Sequence, residues 1–204
     1  IINHNSKRTV IPCSTQIKIK GIHNWQNIMA ASYAAILMHA DVESIKNAIT
    51  GFTGLEHRLE HVHTINEVQY YNDSKATTPE AATAGIKAFD NPTILIAGGY
   101  DKQVSLHQFA LECVRNTKCV ILIGGTAETI QKLIQDIKGE KIKPDVYMAA
   151  SLDESVKKAS EVAEPGDIVL LSPACASFGM FANYEERGKE FKELVRDIVA
   201  AAPC

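Results

Sequence analysis

Three runs constrain this chain more than anything else in it. Thr93-Ile94-Leu95-Ile96-Ala97, Cys119-Val120-Ile121-Leu122-Ile123 and Ile168-Val169-Leu170-Leu171 are apolar at nearly every position rather than at every second one. A strand with one wet face alternates, whereas a strand apolar on both sides has to be covered on both, which is the habit of parallel sheets flanked by helices. The first run ends in Gly98-Gly99 and leads to a predicted helix from about Leu106 to Arg115. The second ends in Gly124-Gly125, ahead of a helix from about Ala127 to Ile137. Asp145 to Met148 reads as a shorter strand and Leu152 to Val162 as a helix. Pro165-Gly166-Asp167 then turns the chain into the third run, and a last helix follows from about Glu185 to Ala201. The pattern predicts an α/β fold, a mostly parallel sheet with helices on both faces and ligand sites at the carboxyl ends of its strands.

One strand end is unusually rich. Val68 to Tyr71 reads as a strand, paired with His57 to Val62 through a turn at Asn66-Glu67, and Asn72-Asp73-Ser74-Lys75-Ala76-Thr77-Thr78-Pro79-Glu80 follows. Thr78 suits an N-cap, Pro79 the first helical position and Glu80 the first turn. A lysine, several hydroxyls and free backbone N–H groups gathered there suit a carboxylate or phosphate. An ordinary strand-to-helix connection with a solvated lysine would carry the same residues, and this stretch alone does not choose. Polar or glycine-rich residues also follow the other runs, as Gly98-Gly99-Tyr100-Asp101-Lys102, Gly124-Gly125-Thr126 and Ser172-Pro173-Ala174-Cys175-Ala176-Ser177. The glycine pairs serve a tight turn whether or not a ligand is near. Lys75 and Lys102, at two strand ends, could converge on one anion, each charge-assisted bond contributing about 1.5–3 kcal/mol. Ser177 could add a hydroxyl. Ser172 and Cys175 have no motif that supplies a base, which argues against a nucleophilic dyad or triad. Neither G-x-x-x-x-G-K-[ST] nor G-x-G-x-x-G occurs, so nothing here cradles a triphosphate or dinucleotide unaided.

Composition narrows the classes. A net charge of -3 and a pI near 6.2 leave no basic footprint for nucleic acid and no polybasic patch for a membrane. His57, His61 and His63 stand close in sequence without accompanying cysteines, a poor zinc pattern. Cys13, Cys113, Cys119, Cys175 and Cys204 are odd in number and form no C-x-x-C, as expected of buried, reduced thiols. The apolar run from Ile28 to Ala40 is too short and too interrupted to span a bilayer, and no signal peptide is evident. These features point to the cytoplasm. The chain opens on Ile1 rather than Met, and Thr15 to Lys20 alternates as a strand would, which suggests a piece of something larger. A helix to about Ala40 has Asn24 and Asn27 on one face, fit for a nucleotide base or for local capping. A second helix spans about Val42 to Thr50. The pattern breaks at Phe52-Thr53-Gly54-Leu55, and the boundary is expected there, dividing the chain into 1–53 and 54–204.

Taken together, Gly21-x-His23-Asn24-x-x-Asn27, Gly54-Leu55-x-His57-Arg58, Asn72-Asp73-Ser74-Lys75-Ala76-Thr77, Gly98-Gly99-x-x-Lys102, the Leu171-to-Ser177 block and Asn183-Tyr184-Glu185-x-Arg187-Gly188 resemble the Mur ligases, in order along nearly the whole chain from Gly21. Within that family they are most similar to the branch that adds D-glutamate. The resemblance implies that 1–53 ends a central ATP-binding domain and that 54–204 is a Rossmann-like, amino-acid-binding C-terminal domain. It implies a reaction in which ATP, with Mg2+, phosphorylates the carboxylate of UDP-MurNAc-L-Ala and the amine of D-glutamate attacks the acyl phosphate. D-glutamate would then meet Lys75, Thr77, Lys102, Ser177, Phe178 and Tyr184. ATP would meet Asn24, Asn27, Arg58 and Asp73. No residue here is expected to act as a catalytic group or hold the metal, and this stretch alone is expected to be an inactive part of a monomeric enzyme acting on small molecules. Two departures stand out: Thr78-Pro79 where the family's block runs on through Asn, and Phe178 where Leu is expected, which narrows the pocket. Another amino-acid ligase of the Mur or folylpolyglutamate type, or a non-catalytic Rossmann-type anion or nucleotide module, is the competing reading.

Overall fold

The computed structural model describes residues 2–4, 7–9, 16–139 and 144–201, and two compact units divide after Gly54. In the first, β1 (Ile2–His4) and β2 (Lys7–Thr9) pair antiparallel, and two helices follow, α1 (Ile22–Leu37) and α2 (Val42–Gly51). Asp41 caps α2, its carboxylate accepting from the Ser44 N–H at 2.9 Å. Of this unit's described side chains only Ser32 and Ile45 are buried. The strand expected over 15–20 does not form from Gln16 to Lys20, and Thr15 lies outside the described residues. Alternation becomes a strand only where a neighbour takes up its hydrogen bonds, and no described strand runs beside it.

The second unit carries β3 (Glu60–Ile65), β4 (Val68–Asn72), α3 (Pro79–Ile86), β5 (Thr93–Gly98), α4 (His107–Asn116), β6 (Cys119–Ile123), α5 (Ala127–Lys138), β7 (Asp145–Met148), α6 (Leu152–Val162), β8 (Ile168–Leu171) and α7 (Tyr184–Ala201). Its six described strands lie in the order β3-β4-β8-β5-β6-β7, with β3 antiparallel to β4 and the other pairs parallel. The strand expected from His57 starts only at Glu60, because His57 and Leu59 take positive φ of 64° and 45° and turn the backbone out of extension. The hairpin turns at Asn66 and Glu67, both at positive φ, as a two-residue connection between twisted strands requires.

The uninterrupted apolar runs are covered on both faces. Leu95, Ala97, Val120 and Leu122 meet Ile86 of α3, Phe109 of α4 and Ile130 of α5. Ile94, Ile96, Ile121 and Ile123 meet Val156 of α6 and Phe191 of α7 on the other side. Each such Val, Leu, Ile or Phe side chain stabilises the fold by about 1.5–3 kcal/mol relative to exposure. Cys113, Cys119 and Cys175 are buried and unbridged, and burial pushes the Cys119 thiol up to about 12; Cys13 and Cys204 lie outside the described residues. Among the described residues no helix is long and apolar enough to cross a membrane.

Candidate functional site

All five parallel strands point their carboxyl ends the same way, and the chain leaves β4, β5 and β8 there in three loops that touch. Gly98 and Gly99 make the contact possible. Their φ values are 108° and 149°, and a Cβ would overlap the Ile123 carbonyl at Gly98 and the Ala176 carbonyl at Gly99. The Gly98 N–H donates to the Pro173 carbonyl at 2.8 Å and the Tyr100 N–H to the Ala176 carbonyl at 2.9 Å, tying the β5 loop to the β8 loop. Thr126, at the start of α5, receives the Gly99 N–H at 3.1 Å and lies 3.3 Å from Cys175 Sγ. The glycine pair at β5 thus answers a crowded backbone.

A cleft opens where the loops meet. Thr77 from the β4 loop, Tyr100 and Lys102 from the β5 loop, Thr126, and Ala174 and Cys175 from the β8 loop line it. Lys102 is exposed and Thr77 half-buried. Phe178 follows on the β8 loop, 55% exposed, with its ring edge-on to Tyr100 at 6.1 Å. Ser177 is buried, and its carbonyl accepts from the Met180 and Phe181 N–H groups. Lys75 belongs to a second grouping. Its side chain is exposed, and Nζ stands 5.8 Å from the centre of the Tyr184 ring. Thr77 and Lys102 therefore share one cleft, while Lys75 and Tyr184 share a flank of the same β4 loop. The N-cap expected at Thr78 forms, its hydroxyl accepting from Ala81 N–H at 3.3 Å.

The residues assigned to a nucleotide are distributed differently. Asn24 and Asn27 lie on α1 of the first unit, where Asn27 Nδ2 donates to Asn24 Oδ1 at 3.2 Å and Asn24 Nδ2 to the Lys20 carbonyl at 2.6 Å. Arg58 is exposed in the second unit. Asp73 is 5% exposed, and both its oxygens are engaged: Oδ1 accepts from the Leu59 N–H at 3.1 Å and Oδ2 from the Ser172 hydroxyl at 2.8 Å. A Cβ on Gly85 of α3 would stand 2.7 Å from Asp73 Oδ2, so glycine there leaves room for the carboxylate. Burial raises the Asp73 carboxyl to about 7, against the opposing pull of those two hydrogen bonds and of Arg58.

Beneath the loops runs a buried polar network that sequence reasoning included in its motifs without assigning it a role. Asn72 Oδ1 accepts from the Ser74 N–H, so Nδ2 is the donor, and it reaches His57 Nδ1 at 2.9 Å, Glu60 Oε2 at 3.1 Å and the Gly188 carbonyl at 3.3 Å. That donation leaves the His57 proton on Nε2. Burial pushes the imidazole pKa down, which keeps it neutral. A Cβ on Gly188 would overlap His57 Nδ1, which explains a glycine inside α7. Ser74 accepts from Arg187 Nε at 2.9 Å and donates to the Tyr184 carbonyl at 2.8 Å. The only signal for this network in the sequence is that His57, Asn72, Ser74, Arg187 and Gly188 belong to the motifs, where charged and polar neighbours surround most of them.

Residues 57–175 match the family described as Mur ligase, glutamate ligase domain. The UDP-N-acetylmuramoylalanine–D-glutamate ligase of Clostridium kluyveri is 45% identical over 185 residues, which are 90% of this chain and 40% of that protein. The ligase of the same name from Caldanaerobacter subterraneus is 46% identical over 182 residues, 89% of this chain and 40% of its own. The chain spans about two fifths of the length of these curated relatives. Among solved structures, UDP-N-acetylmuramate–alanine ligase from Thermotoga maritima superposes with a TM-score of 0.68 at 16% identity, over 91% of this chain and 40% of that one. A Mycobacterium tuberculosis folylpolyglutamate synthase complexed with ADP gives 0.62 at 14% identity, over 92% and 42%. The two structural likenesses speak for the fold. With the family match covering more than half its length, the chain belongs to the Mur ligase family and carries that family's glutamate ligase domain.

Proposed function

We propose that this chain is the C-terminal, amino-acid-binding part of an ATP-dependent ligase that joins D-glutamate to UDP-N-acetylmuramoyl-L-alanine. The observation that carries this is the cleft where Thr77 and Lys102, from different strand ends, meet the Cys175 loop, in a chain whose relatives bear the name of that ligase. D-glutamate has two carboxylates, so it needs two cationic or N–H-rich poles. Lys102 and Thr77 form one. Lys75, beside Tyr184, forms the other, with Ser177 and Phe178 closing the far side. In the proposed reaction the acceptor's carboxylate takes the terminal phosphate of ATP, which would be bound with Mg2+, and ADP leaves; the amine of D-glutamate then displaces phosphate from the acyl phosphate through a tetrahedral intermediate, giving up a proton as the amide forms. This chain's share is to hold the amine in line, and such positioning is a large part of the rate enhancement available to a bimolecular step. Asn24 and Asn27 meet the adenine, Arg58 the ribose–phosphate and Asp73 a ribose hydroxyl. A carboxylate has about four lone-pair sites, so Asp73 can accept that hydroxyl beside its two present donors. On this reading 1–53 ends the ATP-binding domain, 54–204 is the amino-acid domain, and the enzyme works as a cytoplasmic monomer.

The test is a chimera in which this chain replaces the matching C-terminal residues of the Clostridium kluyveri relative, assayed for ligation. Lys75→Ala and Lys102→Ala are each expected to raise the KM for D-glutamate at least tenfold, the loss of one charge-assisted bond of about 1.5–3 kcal/mol. This chain alone is expected to give no ligation. Unchanged KM and turnover in both variants would sink the site assignment.

A further inference from the structure

Arg187 on α7 is 1% exposed. Its guanidinium donates from Nε to the Ser74 hydroxyl at 2.9 Å, from Nη2 to the Ser74 carbonyl at 2.9 Å and from Nη1 to the Cys175 carbonyl at 3.2 Å. Every acceptor is neutral. None of the ion pairs among the described residues includes Arg187. A buried cation without a counter-ion is costly, and proteins ordinarily pair such charges. The position of this one is specific. Cys175, like Thr77, lines the cleft, and the guanidinium is hydrogen-bonded to the Cys175 carbonyl; Ser74, its other partner, immediately precedes Lys75. Its planar fork reaches two loops at once, which the point charge of a lysine cannot reproduce.

We infer that Arg187 serves an anionic ligand through its charge: the fork holds the Ser74–Thr77 turn against the Cys175 loop and so stabilises the fold, while the buried charge is left open for a carboxylate of the ligand in the cleft to balance. The inference rests on the functional reading above and adds a residue that touches no substrate. Charge and fork are separable by substitution. Arg187→Met removes both, Arg187→Lys keeps the charge and loses the fork, and Ser74→Ala keeps the charge and loses one bond.

The experiment uses the same chimera, measuring KM for D-glutamate, kcat and Tm. Arg187→Met is expected to raise KM at least tenfold while kcat stays within threefold. Arg187→Lys and Ser74→Ala are expected to lower Tm while KM stays within threefold of the parent. A KM in Arg187→Met raised less than tenfold, or a rise beyond threefold in either charge-keeping variant, overturns the inference in an otherwise active enzyme. Should Arg187→Met not fold, the two charge-keeping variants decide by the same threshold. A chimera inactive with Arg187 intact overturns the functional reading, and this inference falls with it.

Discussion

Folding and ionisation are coupled at Asp73. In the unfolded chain its carboxyl has the ordinary value of 3.8, and in the folded one burial lifts it to about 7. Between those values the folded chain holds a proton that the unfolded chain has lost. The stabilising contribution is therefore fully present below the lower value and disappears as pH rises through the upper one. Asp73→Asn removes the titration. Between about pH 5 and about pH 8 the stability of wild type relative to the variant is expected to fall by up to a few kcal/mol, at about 1.4 kcal/mol per pH unit up to the upper value. Urea unfolding at both pH values checks this, and a constant gap between the two proteins contradicts it. The sequence marks Asp73 as a polar residue at a strand end. It does not reveal that Leu59, Ser172 and Gly85 enclose it, because those partners come from 14, 99 and 12 positions away, and only the completed sheet brings them together. Gly188 is similar: its neighbour His57 is remote in sequence, so nothing local explains why α7 tolerates a glycine.

Elements were far more legible than their junctions. Continuous apolar runs announce β5, β6 and β8, since a strand covered on both faces has no polar position to hide, and Thr78-Pro79-Glu80 announces the start of α3. The misses occur where geometry is set from outside: β3 begins late because His57 and Leu59 turn the chain first, and Gln16 to Lys20 has strand periodicity without a strand beside it. The cleft was half legible. Lysines at strand ends suggested a common anion, but the structure groups Lys102 with Thr77 and sets Lys75 against Tyr184, a division that depends on loop paths rather than on spacing. The α3 cap belongs to this scale. Thr78→Ala removes the acceptor for the Ala81 N–H and is expected to cost about 1 kcal/mol, lowering Tm by roughly 2–4 °C in a chain of this size. Differential scanning calorimetry of the two proteins is the check, and an unchanged Tm would mean that Pro79 alone secures the helix start.

For the molecule as a whole, the two hydrophobic clusters lie entirely within the second unit, from Leu59 to Ile198. Residues 55–204 by themselves are therefore expected to fold cooperatively, giving one thermal transition by near-ultraviolet circular dichroism. Loss of that signal in the shortened chain would refute the expectation. The order of the sheet has a further consequence for how the chain is made. β8 is the last of the described strands in chain order, yet it lies between β4 and β5. Until residue 171 has left the ribosome, a hairpin on one side and three strands on the other face each other across an unfilled gap, both edges bare to neighbouring nascent chains. Bare parallel edges of that kind invite mispairing. A message truncated before residue 168 thus gives an aggregation-prone product rather than a smaller folded one, and the cleft comes into being only after β8 has been made.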